Sequence, residues 1–483
     1  MHSRSSSIGL GLLLLLQLAA YAGLAAIDWR HGTLAGEQVP RTIGLLLAAF
    51  AVYGLTLWWV ESRRVDTLAL LWIGAVALRA VLLFTEPSLS ADVFRYLWDG
   101  HVANHGVSPY ALPIESPALD FLDVPIRSQA DHAWMASPYM PAAQGLFVAV
   151  TRLLPLRPLS MQLAMVVVDL GNGLLLLALL SLAGLPRMRA LIYLWNPLVV
   201  VEVAQGAHVD AWMILLSLAA VLLALQHGIH HRFSRWLSPL LLALATLTKF
   251  LPALLLPVLY WRWHWPQRLL YAAAVMGLLI PAGLRAGWGL TGPLDGTGLF
   301  GAVRIYGDRW NYNSGLFHWL EASLFPVVGV ADAETWARRA VALGMLTVVI
   351  VVWWQAKRAP GARAALRWMA VPLAAYVLLS PTMHPWYLLL LLAFVPFLPP
   401  AAGESGRRWL WAAPWLHLSG ALALSYYTYV DPGNLREYEW VRRMEWIPTL
   451  ALLLLAAGVW LKDRGHATVQ KRSSGSGYGA EDD

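Results

Sequence analysis

None of the 483 residues is cysteine. That absence excludes disulfides and thiolate chemistry, and it leaves the redox compartment unreadable. Charge is also scarce. Asp, Glu, Lys and Arg make up 13% of the chain, against about a quarter in a soluble globular protein, so a water-facing surface around one core is excluded. No P-loop, G-x-S-x-G, H-E-x-x-H or metal-ligand spacing is present, and nothing points to nucleotide handling. No repeat of 20–50 residues is visible.

What the chain has instead is hydrocarbon. It is 58% hydrophobic with 26 Trp, and its mean hydropathy is +0.56. About 20 apolar residues span a bilayer as a helix, and Trp gathers at the interfaces. Apolar runs at 8–27, 43–60, 67–84, 159–183, 189–204, 208–226, 268–286, 337–356, 364–381, 386–400, 409–427 and 445–461 read as spans. The expected fold is therefore all-α and polytopic, with about 12–14 transmembrane helices in one domain over 1–461. Residues 8–27 read as a retained first helix and not as a cleaved signal. Residues 462–483 read as a disordered cytoplasmic tail.

The net charge of +7 fits basic loops facing the cytoplasm and attraction to anionic lipid, not nucleic-acid binding. Basic clusters at 61–64, 261–268, 355–363, 406–409 and in the tail place the large loops 85–141 and 287–336 outside. Residues 142–155 are short for a crossing, and 238–260 carry three prolines. One topology keeps 142–155 out of the membrane and folds 238–260 into a hairpin, so that Arg187, Arg189, Arg232 and Arg235 lie inside. The other crosses both segments and holds only Arg152 and Arg157 inside. The basic count favours the first.

In the first outer loop, "SADVFRYLWDGHVANHGVSPY" (90–110) reads as an amphipathic juxtamembrane helix. Ser90 is the candidate N-cap, and Asp92 sits in the first turn where the helix dipole favours an anion. Asp92, Arg95, Tyr96 and Asp99 share one face, and Val93, Phe94, Leu97, Trp98 and His101 the other. That polar face faces a cleft, or it merely solvates one side of the helix. Glu202, His208 and Asp210 end an apolar run, and Lys249 lies within another. A charge at mid-membrane costs about 2.5–3.5 kcal/mol on insertion scales, which makes Lys249 a functional candidate; the structural alternative pairs it with Glu202. "RIYGDRWNYNSG" (304–315) is rich in sugar- and phosphate-binding types, among them Arg304, Asn311 and Asn313. His384 stands between two prolines in "SPTMHPWY" (380–387), where freed carbonyls imply a cavity wall; a structural turn is the alternative.

Taken in order, "DVFRYLWDG…GVSPY", "YMPAAQGLF", "NP…E…GAHVD", "TKFLPALLLP", "WNYNSGLF" and "SPTMHPWYLLL" resemble the multispanning GT-C glycosyltransferases. The likeness is nearest to bacterial family-87-type and polyprenyl-phosphate-mannose-dependent mannosyltransferases and covers roughly residues 85–400. It implies an inverting transfer of a hexose, mannose favoured, from a polyprenyl-phosphate carrier to the hydroxyl of a glycan or glycolipid acceptor. The place would be the periplasmic face of the bacterial inner membrane. The family's acidic base matches Asp92. His384 joins it as a catalytic candidate at the departing phosphate. Arg95, Tyr96, Asp99, Tyr110, Glu202, His208, Asp210, Lys249, Arg304, Asn311, Asn313, Trp386 and Tyr387 are the candidate substrate and donor contacts. No cofactor is expected, and a divalent metal is left open. A transporter or flippase of lipid-linked sugars would need the same groove and charges but no base. A glycan polymerase or ligase would use a diphosphate-linked donor.

Overall fold

The helices follow from the apolar runs, and their ends follow from proline, glycine and charge. The computed structural model describes residues 2–27, 34–226, 234–291, 294–398, 409–431 and 433–475. In chain order the α-helices are α1 (His2–Ala25), α2 (Gln38–Arg63), α3 (Leu68–Leu82), α4 (Asp92–Asn104), α5 (Pro141–Leu153), α6 (Pro158–Leu182), α7 (Leu191–Leu194), α8 (Pro197–Ala204), α9 (Asp210–Leu225) and α10 (Leu237–Thr246). They continue as α11 (Leu256–Leu259), α12 (Trp265–Ala286), α13 (Gly301–Arg309), α14 (Leu316–Val328), α15 (Val330–Ala356), α16 (Gly361–Leu379), α17 (Leu389–Phe394), α18 (Ala413–Ala421) and α19 (Glu439–Gly475). Among the described residues the sole β element is an isolated bridge between Tyr312 and Thr382. The protein is an all-helical polytopic membrane protein.

The expected crossings resolve into two kinds. Among the described residues α1, α2, α6, α12, α15, α16 and α19 are long and apolar enough to cross a bilayer. Much of their surface is bare hydrocarbon, as at Leu16, Val167 and Leu454. The other apolar segments are short or broken. Residues 189–204, expected as one span, split at Asn196–Pro197: Pro197 cannot continue the preceding helix, and the Asn196 side chain caps the next one by accepting from the Leu198 N–H. Residues 386–400 likewise break into the 3-10 turn Pro385–Leu388, α17, and the turn Val395–Phe397. The segment 287–336, expected as one large loop, carries α13 and the apolar α14. The helix of the last span is drawn on to Gly475; 476–483, the end of the expected tail, Arg232 and 406–408 lie outside the described residues.

The segment 238–260 is a hairpin. The Gln267 side chain donates to the Arg235 carbonyl at 3.0 Å, and the Trp263 indole to Ser238 at 3.0 Å, so both ends lie at one level. Lys249 stands at the apex, where α10 gives way to the 3-10 turn Leu251–Leu255. α5, at 13 residues, reaches about 20 Å at 1.5 Å per residue, too short for a crossing. It packs on α4 instead. A Cβ on Gly100 of α4 would come within 2.4 Å of the Phe147 carbonyl oxygen of α5, so the approach requires glycine.

α16 has 19 residues and is therefore about 28 Å long. At its C-terminal end the chain enters the His384 turn. At its N-terminal end lie Lys357 and Arg358, tied to the 261–264 segment by Arg262, which donates to the Ala359 carbonyl at 2.8 Å. Basic clusters and the His384 turn thus occupy opposite ends of the bundle.

Candidate active site

At the His384 end a cavity of about 850 Å³ opens between α4, the Lys249 turn, α13, the His384 turn and the 428–437 segment. Its wall brings together Asp92, Asp210, Lys249, Asn311, His384, Trp386 and Tyr387 from the sequence candidates. It adds Asp131, His132, Tyr306, Trp310, Tyr429, Arg436 and Glu437, which the sequence reading did not select. Asp131 and His132 lie on a loop with no periodic pattern. Trp310 did lie inside a quoted polar segment, so its signal was present.

Ser90 accepts a hydrogen bond from the Asp92 N–H at 3.2 Å, one residue ahead of the helix cap at Ala91. Asp92 enters the cavity with its side chain 23% exposed. Behind it Tyr96 donates to Asp92 Oδ2 at 3.3 Å, and His208 Nδ1 lies 3.6 Å from the same oxygen. His208 and Glu202 are buried and do not line the cavity; His208 lies behind two residues that do, Asp92 and Trp386.

The expected polar face of α4 does not meet solvent. Arg95 and Asp99 are buried and paired at 3.1 Å. Asp99 also accepts from Ser137 and from Gln144, and Arg95 donates to the Met135 carbonyl at 3.0 Å. Burial pushes the Asp99 carboxyl up, against the opposing pull of Arg95, Ser137 and Gln144. The pair clamps α4 to the 130–140 segment. Tyr110 donates to the Tyr139 carbonyl, Arg304 to the Leu290 carbonyl, and Asn313 to Glu445. These five candidates brace the wall from outside it.

Lys249 Nζ lies 2.5 Å from Asp210 Oδ2, not against Glu202, and 5.4 Å from the centre of the Tyr387 ring. Asp210 is buried and Lys249 keeps 20% exposure, so the cation faces the cavity and the anion backs it. His384 is fixed by a ring stack: Tyr312 at 4.8 Å on one side and Trp386 at 4.6 Å on the other, with Trp386 in turn 4.0 Å from His208. The bridge at Tyr312 and Thr382 holds the two strands of chain that build this stack. Desolvation, with help from Lys249 and against Asp92, pushes His384 well below the usual imidazole range, so it is neutral near pH 7. Desolvation and the charge of Asp92 push the Asp131 carboxyl up. Among the described residues no group of three or more His, Asp or Glu is placed to hold a metal ion.

Such a wall offers a carboxylate to take a proton, a cation and a neutral imidazole to receive an anion, and aromatic faces for sugar rings. The model of the alpha-(1->6)-mannopyranosyltransferase N-terminal domain matches residues 7–265, more than half of the chain. The chain belongs to this family. Asp92, Asp210 and Lys249 lie within the matched region; His384 lies beyond it. Alpha-(1->6)-mannopyranosyltransferase A of Mycobacterium tuberculosis (strain ATCC 25618 / H37Rv) is 27% identical over 413 residues, covering 74% of this chain and 70% of that protein. No solved structure matches. Family membership agrees with the GT-C, family-87-type resemblance carried by the motifs.

Proposed function

We propose that the protein transfers a mannosyl residue from a polyprenyl-phosphate carrier to a glycan hydroxyl, with inversion, at the periplasmic face of the bacterial inner membrane. The observation that carries this reading is the meeting of Asp92, Lys249 and His384, from three distant segments, in one cavity at the end of the bundle away from the basic clusters. Basic loops favour the cytoplasm, and this supports the reading that the cavity faces outward.

Asp92 takes the acceptor hydroxyl proton as the oxygen attacks the anomeric carbon. The bond to phosphate breaks on the opposite face, and its electron pair leaves on the phosphate oxygen. Lys249 meets that growing charge as a point charge, and His384 meets it as a neutral N–H donor. An α product formed with inversion requires a β-linked donor. A lipid donor also needs a place for its tail. An apolar lateral groove of about 1170 Å³ runs between α2, α18 and α19, walled by Phe50, Leu57, Leu424 and Met444. The 3-10 turn Leu422–Val430 borders both spaces, with Leu424 in the groove and Tyr429 in the cavity.

The test uses the full-length protein in vesicles with polyprenyl-phosphate-[14C]mannose and an α-linked mannobiose. Labelled trisaccharide and free polyprenyl phosphate are expected, with no product from GDP-mannose. Asp92→Asn should lower turnover at least ~100-fold, the smaller end of what a general base contributes. Transfer from GDP-mannose, or passage of intact labelled lipid across the bilayer without transfer, would replace this reading.

A further inference from the structure

A base that takes a proton must release it before the next turnover. The donor is a phosphodiester with one negative charge. The product phosphate monoester has a second pKa of about 6, so near neutrality about one proton per turnover must leave Asp92. We propose that His208 receives it, held by Glu202, so that Asp92, His208 and Glu202 form a proton relay behind the cavity wall. The relay rests on the reading of Asp92 as the base.

The geometry is specific. His208 is fully buried, with Nδ1 3.6 Å from Asp92 Oδ2 and Nε2 3.1 Å from Glu202 Oε2. Neither ring nitrogen, nor Glu202 Oε2, completes a hydrogen bond. Buried polar atoms left unpaired are rare and costly. Three adjacent ones, in line with a base, form a seat for a proton that is not always there. Tyr426 donates to the other Glu202 oxygen and so fixes the carboxylate. The backbone is shaped for the ring as well. Ala207 is held at a φ of 53°, the left-handed region that a residue with a Cβ rarely adopts. The His208 N–H donates back to the Glu202 carbonyl at 3.0 Å. A Cβ on Gly206 would come within 2.8 Å of the His208 ring, so glycine clears its place. Trp386 covers one face of the imidazole at 4.0 Å.

The proton path balances. In the resting state His208 is neutral, with its Nε2–H turned to Glu202 and its Nδ1 lone pair turned to Asp92. The acceptor proton passes to Asp92 as the new C–O bond forms and the C–O bond to phosphate breaks. Asp92 passes the proton to Nδ1 and becomes a carboxylate again. The imidazolium lies between two carboxylates until the products leave; the proton then returns through Asp92, the partly exposed member, to the water that refills the cavity, and His208 is neutral again. Apo distances of this kind tighten in the reacting complex. The other titratable groups around His208 are Asp210 of α9 with its partner Lys249, His384 beyond Trp386, Tyr96 of α4, and Tyr426 through Glu202.

The experiment measures kcat and donor KM against pH around neutrality, with melting temperature, for wild type, Glu202→Gln, His208→Gln, Tyr426→Phe and Asp92→Asn. In wild type, kcat falls on the acid side, because a His208 already protonated cannot accept. Glu202→Gln weakens the imidazolium, so that limb moves to lower pH and kcat near neutrality drops about tenfold, with donor KM unchanged. Tyr426→Phe leaves the Glu202 charge less satisfied, and the limb moves to higher pH. In His208→Gln the limb is lost. A limb that stays in place in Tyr426→Phe and His208→Gln, with kcat losses that follow melting temperature, would show a structural pair and overturn the relay. Asp92→Asn separates the two ideas. If it stays active, the base reading fails. If it is inactive while the limb does not move in the other variants, the relay alone fails.

Discussion

Lys249 carries two demands on one charge. It neutralises Asp210, and it faces the space where a phosphate would sit. The sequence made Lys249 legible, because a lone cation in an apolar run is costly. Its partner was not legible, since Glu202 and Asp210 stand eight positions apart and only the turn at Ala207 decides which of them faces the Lys249 apex. Lys249→Met should leave Asp210 buried and unpaired, at a cost of roughly 3–5 kcal/mol. Adding Asp210→Asn should recover most of that stability without restoring donor affinity. Calorimetry and donor titration on the single and double variants check this; donor affinity that survives in Lys249→Met removes it from the phosphate site. His384 makes a prediction of the opposite kind. Its folded-state pKa is depressed, so its stabilising state is the neutral one, complete above the ordinary imidazole pKa of about 6.5 and lost as pH falls below it. Wild type should therefore lose melting temperature on mild acidification faster than His384→Gln. Parallel melting curves of the two would expose the reverse.

For the elements, the sequence was most informative where periodicity was long. The helix expected in 90–110 is α4, and the prolines in 238–260 mark a true hairpin. Periodicity failed on direction. Asp92, Arg95, Tyr96 and Asp99 share a stripe, but a stripe does not say whether water or a second polar layer covers it. Here Ser137, Gln144 and the Met135 carbonyl cover it, and only Asp92, at the helix start, escapes into the cavity. It failed too at 189–204, where continuous apolar character hid the Asn196–Pro197 break. The fit between α4 and α5 rests on a single missing side chain. Gly100→Ala places a methyl against a backbone carbonyl that cannot step aside, so it should lower stability by about 1–3 kcal/mol, as overpacking does. It should also lower kcat, because α4 carries Asp92. A thermal melt that matches wild type would show that α5 gives way freely.

Across the whole molecule, overall class was the easiest thing to read and site composition the hardest. Few charges and long apolar runs decide a membrane protein from composition alone, whereas Asp131, Trp310 and Tyr429 become neighbours only after the chain has folded. The charge asymmetry between the two ends predicts the orientation. The natural lack of cysteine makes it directly measurable. Ser116→Cys, in the loop before Asp131, should react with an impermeant thiol reagent in intact cells. Ser62→Cys, in the basic end of α2, should react only after the membrane is opened. The reverse pattern would place the cavity in the cytoplasm and defeat the donor assignment.

The four stacked rings, Tyr312, His384, Trp386 and His208, come from three segments and touch face to face in series. In evolutionary terms they form one heritable block. Loss of an inner ring, His384 or Trp386, unseats two neighbours, and loss of an end ring, Tyr312 or His208, unseats one, so the least disruptive changes exchange flat ring for flat ring. Tyr306 and Trp310, on another part of the cavity wall, stack on each other at 4.3 Å and stand outside that block. On the proposed function, change in which sugar is accepted would have its open path there.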